Sequence, residues 1–84
     1  MFVWTYVDFC SFDGDAYMSA PVVFKCHKDA KAYMTKKINE LYEHTVEREE
    51  VDSEIDKGDF YRIATDYYKN HFTFMIKKSK VKGL

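Results

Sequence analysis

The dipeptide Asp13-Gly14, set between two β-favouring runs, constrains this chain more than any other feature. Residues 2–12 are rich in aromatic and β-branched side chains, and so are residues 17–24. Asp-Gly suits a two-residue hairpin turn because both central positions take positive φ, at little steric cost for this pair. In that register Phe12 faces Asp15 and Cys10 faces Tyr17, while Cys26 lies beyond the start of the first strand. At about 3.4 Å per residue the two cysteines sit roughly 30 Å apart, outside disulfide reach, so they are read as free thiols. Pro21 has no N–H to give to a ladder, so the second strand is an edge or is broken there.

Asp29 is placed to cap a helix running from 30 to about 50. At 100° per residue Ala30, Met34, Ile38, Leu41 and Thr45 fall on one stripe, flanked by Tyr33 and Tyr42, and this is the expected buried face. An acidic link through Gly58 then leads to two more strands, 60–67 and 72–78, around a turn near Lys69-Asn70. In the last of these Phe72, Phe74 and Ile76 alternate with His71, Thr73, Met75 and Lys77, one face apolar and the other mixed. The expectation is a β-β-α-β-β order: an α+β domain with a four-stranded, mostly antiparallel sheet and one amphipathic helix on one face. Its 84 residues suffice for a single core, spanning 1–84 with a frayed tail from 79.

Charge is divided along the chain. The formal total is −1, which argues against direct nucleic-acid binding. Between 40 and 59, however, Glu40, Glu43, Glu47, Glu49, Glu50, Asp52, Glu54, Asp56 and Asp59 outnumber Arg48 and Lys57, a local −7. Residues 69–82 hold five lysines and no acid. On the helical wheel Glu40, Glu43, Glu47 and Glu50 form one strip nearly opposite the apolar stripe. Glu43 and Glu47 are like charges at i,i+4, and acids near a helix C-terminus oppose its dipole. An arrangement tolerated against these costs points to an acidic surface matched to a basic groove.

Other chemistries lack their signatures. Cys10, Cys26, His27, His44 and His71 form no Cys-x2-Cys or His-x3-His pair, so no metal is implied. Three glycines, at 14, 58 and 83, build no phosphate cradle, and no spacing selects a nucleophile with its base, so no cofactor or enzymatic activity is expected. Aromatic residues are 18% of the chain, which keeps open a sheet that stacks single-stranded bases, but the first strand carries only Asp8 where such folds carry basic groups. The N-terminal apolar run has no basic n-region and is interrupted by Asp8, which gives the expectation of a cytoplasmic protein with no membrane association.

A β-hairpin, then Val-Phe-Lys-Cys-His-Lys-Asp-Ala-Lys-Ala-Tyr (23–33) entering an amphipathic helix, then a terminal hairpin, resembles the small proteins carried by phages and mobile elements. The whole layout is similar to single-domain anti-defence inhibitors, anti-CRISPR proteins in particular, in size, acidity and absence of catalytic motifs. The resemblance implies a non-enzymatic inhibitor; the charge pattern adds the expectation that it docks the acids from Glu40 to Asp59 onto a basic surface of a host nucleic-acid-processing complex. The alternatives are a structural homodimer that buries the mixed sheet face and an aromatic-sheet single-strand binder.

Overall fold

The computed structural model describes residues 1–12, 14–44, 51–65 and 69–81. Its elements are β1 (Phe2–Phe12), β2 (Asp15–Met18), β3 (Val22–Phe24), α1 (His27–His44), β4 (Val51–Asp56), β5 (Phe60–Thr65) and β6 (Asn70–Lys80). The class is α+β, and the expected four strands are six, in one antiparallel sheet ordered β2-β1-β6-β5-β4 with β3 also paired to β1. Two differences account for the count, one at Pro21 and one in the acidic segment.

The hairpin forms in the register its turn dictates, Phe12 opposite Asp15 and Cys10 opposite Tyr17, with Gly14 at φ +87°. Pro21 then breaks the returning strand into β2 and β3, and the break carries a consequence for side-chain direction. β3 pairs Phe24 with Trp4 and Val22 with Tyr6, a register one residue longer than β2's if extended. Because side chains alternate with period two, that extra residue turns Val22 and Phe24 toward the helix and Val23 away from it.

The second difference is β4, whose residues were expected to form a loop. Val51, Ser53 and Ile55 alternate with Asp52, Glu54 and Asp56, a period-two pattern hidden by its acidity. Pairing with β5 holds it in the sheet, with a register shift between Val51 and Ser53. As the outermost strand it exposes one row of backbone groups, and its carboxylates deter a second chain from adding there.

The helix begins at His27, so Asp29 lies in its first turn rather than capping it. His27 extends the helix backward because its ring meets Asp59 at 2.7 Å and packs edge-on against Trp4. A carboxylate in the first turn still complements the helix dipole. The helix end expected between 45 and 50, including Thr45, lies outside the described residues. Ala30 and Met34 are fully buried, and Ile38, Leu41, Tyr33 and Tyr42 pack partly buried around them, as the apolar stripe requires.

Beneath the helix, Tyr6, Tyr61, Ile63, Phe72, Phe74 and Ile76 complete the core. All of them occupy sheet positions of one side, fixed by the pairs Tyr6↔Ile76, Tyr61↔Phe74 and Ile63↔Phe72. β6 continues to Lys80, and Val81 donates to the Met1 carbonyl at 3.0 Å, so the ladder runs past the point where fraying was expected. No helix among the described residues is long and apolar enough to cross a membrane.

Candidate functional site

The acidic residues among those described do not share one surface. Glu40 lies on the β1 side of the helix, where it shares a depression with Asp8 and stands 3.7 Å from Lys37. Glu43 is exposed on the same helix. Glu54 is on the helix side of β4, where it accepts hydrogen bonds from Tyr61 at 2.9 Å and Tyr42 at 3.2 Å. Asp56 accepts from the Gly58 amide at 3.0 Å, shaping the turn in which Gly58 takes φ +80°. Asp59 holds His27, and Asp52 is not without an interaction partner either. Glu47, Glu49 and Glu50 lie outside the described residues. Among the described residues Glu40 and Glu54 therefore occupy separate flanks, and Glu54, Asp56 and Asp59 on β4 and its turn fasten the strand to the helix and to itself.

A different surface is assembled by the pairing. With one helix on one side, the other side of the sheet carries no helix or strand among the described residues. Its central rows align Val7 with Met75 and Phe60, and Met18 with Phe9, Thr73, Arg62 and Ile55. Met18 is 64% exposed and Val23 60%, while Phe9 and Ile55 are near 40%. Two depressions flank His71 on this side. One, about 290 Å³, is lined by Phe9, Ser11, Ala16, Met18 and Thr73; the other, about 160 Å³, by Ser53, Ile55, Arg62 and Ala64.

The electrostatics of the two sides differ. Every carboxylate in a paired strand position, namely Asp8, Asp15, Glu54 and Asp56, falls on the helix side. The open side carries Arg62, His71 and Lys77, and an Arg62 guanidinium nitrogen lies 3.3 Å from His71 Nδ1. A largely apolar face in which Arg62 lies between Thr73 and Ile55, Lys77 stands toward one end and no acid is paired has a composition like that of protein interfaces, in which Phe, Met and Arg are enriched and acids depleted. The face measures roughly 24 Å across five strand positions and about 27 Å along them, some 600 Å² in projection, which approaches the ~800 Å² per partner of a standard complex.

The nine acids expected as the site thus leave out the residues that make this face. The alternation in β6 already separates His71, Thr73 and Met75 from the buried set. What the chain alone leaves undecided is whether a second layer covers them.

Cys10 and Cys26 are both free. Cys10 is half-buried, and burial first, then the nearby Asp8 carboxylate, push its thiol above the ordinary range. Since the thiolate is the reacting form, native protein at pH 8 should take up iodoacetamide at exposed Cys26 well before Cys10, the two rates converging in denaturant. Equal rates in the native state, by mass spectrometry of the peptides, would contradict this placement. Among the described residues no three His, Cys, Asp or Glu side chains converge in a metal-binding group. No protein-family model, curated protein or solved structure matches this chain.

Proposed function

We propose that this protein is a binding module that docks the open face of its sheet onto another protein, one whose contact surface is apolar and bears acidic groups. The observation that carries this reading is the segregation of strand side chains: the uncovered side holds Phe9, Met18, Phe60 and Met75 together with Arg62, His71 and Lys77, while the paired carboxylates lie on the other side. Burying the apolar side chains drives association, and the Arg62 and Lys77 charges select acidic partners over basic ones. Acting by occupying another protein's surface is also what the resemblance to phage-type inhibitors implies. The acids from Glu40 to Asp59 support a docking role less well, because Glu40, Glu54, Asp56 and Asp59 are already engaged within the chain. A face-to-face homodimer is disfavoured by the same charges, since two copies would set Arg62 and Lys77 against a second face that also has paired cations and no paired acid.

The test starts from the partner that co-purifies from the natural source and uses the purified pair. Met18→Asp and Arg62→Glu should each weaken the complex at least tenfold, through lost apolar contact in one case and charge reversal within the face in the other. Unchanged affinity in both variants sinks the proposal. Light scattering that shows a concentration-dependent dimer abolished by Met18→Asp would replace it with self-association through this face.

A further inference from the structure

The structure gathers lysines and exposed aromatic rings at one end of the molecule, remote from the hairpin turn. The β1–β6 ladder sets Phe2 opposite Lys80 and Trp4 opposite Lys78, all on the helix side but at the end of the sheet where the helix begins. Lys78 Nζ stands 4.2 Å from the centroid of the Phe2 ring and 5.7 Å from that of Trp4. Phe2 is 46% exposed. Trp4 is partly buried, with the His27 ring edge-on at 6.4 Å. Exposed Lys25 and Lys28 follow directly on β3 and open the helix, and Lys77 adds a charge on the other side of the ladder. The carboxylates nearby are Asp29 in the first helical turn and Asp59, which holds His27. The whole-chain charge of −1 averages over this end and conceals it.

We propose that this end binds single-stranded nucleic acid, with bases stacked on Phe2 and Trp4 and phosphates held by Lys78 and Lys80. Aromatic faces beside a basic track are how single strands are held without sequence readout. Lys78 and Lys80 project on the same side two residues apart, about 6.8 Å, or roughly two phosphate steps of a stacked strand. On binding, the Lys78 ammonium exchanges its place over the rings for a phosphate, freeing their faces. A duplex offers the phosphates but no unstacked bases, so it is the weaker ligand. This surface is distinct from the open sheet face, and neither proposal depends on the other.

Trp4 is the sole tryptophan, so its emission reports on this site directly. Titration with a fluorescein-labelled dT12 should quench Trp4 and raise the anisotropy of the label together. With two phosphates engaged, affinity should fall roughly sevenfold between 50 and 200 mM salt. The double variant Lys78→Glu, Lys80→Glu should bind at least tenfold more weakly, while Met18→Asp binds as wild type does. The proposal is overturned by an absent anisotropy change, by a change without Trp4 quenching, by equal binding of a duplex of the same sequence, or by unchanged affinity in the lysine variant. Phosphatidylserine vesicles that quench Trp4 where dT12 does not would overturn it in favour of an anionic lipid surface. Should the lysine variant lose its far-UV ellipticity, the salt dependence and the duplex comparison on wild type decide the question.

Discussion

Raising the pH above 10 should unfold this protein steeply, and two of its seven tyrosines should ionise only as it unfolds. Tyr6 is fully buried and donates its hydroxyl to Asp8 at 2.6 Å. Burial, then that hydrogen bond and the Asp8 charge, raise its phenol far above the ordinary range. Tyr61, 4% exposed, is raised by burial, then by hydrogen bonding with Tyr42 at 2.7 Å and Glu54 at 2.9 Å. Both phenols stay protonated in the fold, whereas in the unfolded chain they lose the proton near pH 10. Above that pH the folded state binds two more protons than the unfolded one. The stability they contribute is fully present below pH 10 and falls by about 1.4 kcal/mol per pH unit for each, about 2.7 kcal/mol for the pair. A domain of this size has roughly 4 to 13 kcal/mol in all, so one or two pH units suffice to unfold a chain at the lower end.

Absorbance at 295 nm followed alongside far-UV ellipticity tests this. Two phenols should titrate together with the loss of ellipticity, and Tyr61→Phe should roughly halve the slope of stability against pH. Complete tyrosine ionisation before any loss of ellipticity would show that Tyr6 and Tyr61 are not enclosed as described.

The second large effect is expected at Met34, the place where the helix is fastened to the sheet. Met34 is 1% exposed, and with Ala30 it is one of two fully buried helix residues among those described. Truncation to alanine removes its buried methylenes and leaves a cavity that the sheet cannot close, a loss of about 2–5 kcal/mol. For a domain of this length each kcal/mol lowers the melting temperature by about 4–8 °C, so Met34→Ala should melt roughly 10–30 °C below wild type. Met34→Leu preserves volume and should lose much less. Met18→Asp, on the open face at 64% exposure, should melt within a few degrees of wild type. A drop of under about 4 °C for Met34→Ala would mean that the helix is held elsewhere. A large drop for Met18→Asp would mean that the open face is part of the folding core instead of a docking surface.

Much of the fold is legible in local pattern. Asp13-Gly14 dictates the register Phe12↔Asp15, Pro21 breaks the returning strand, and the stripe from Ala30 to Leu41 marks the buried helix face. These rest on backbone chemistry and on periodicities of 2 and 3.6, which short windows contain. β4 was obscured because hydropathy weighs its acids as loop, whereas its backbone needs only a partner ladder and one side free to face water. The helix start at His27 was also obscured, because it depends on Asp59 and Trp4, 32 and 23 residues away in sequence.

The candidate site was legible only in part. The lysine-rich end and the aromatic content stand out in the chain, but their meeting at Phe2, Trp4, Lys78 and Lys80 requires the β1–β6 register, which joins the two ends of the chain. The acids from Glu40 to Asp59 look continuous because they are close in sequence, yet a helix and an antiparallel strand send neighbouring residues in opposite directions, and Glu40 and Glu54 end on different flanks.

By itself the amino-acid sequence determined which residues must be hidden from water, where the chain must turn, and that one helix would pack on an antiparallel sheet. The tertiary structure alone decided which side of that sheet stays open and which charges share a surface. The reason is that side-chain alternation creates two faces from local geometry, whereas covering one of them, and bringing Trp4 to Lys78, depends on contacts between residues far apart in the chain.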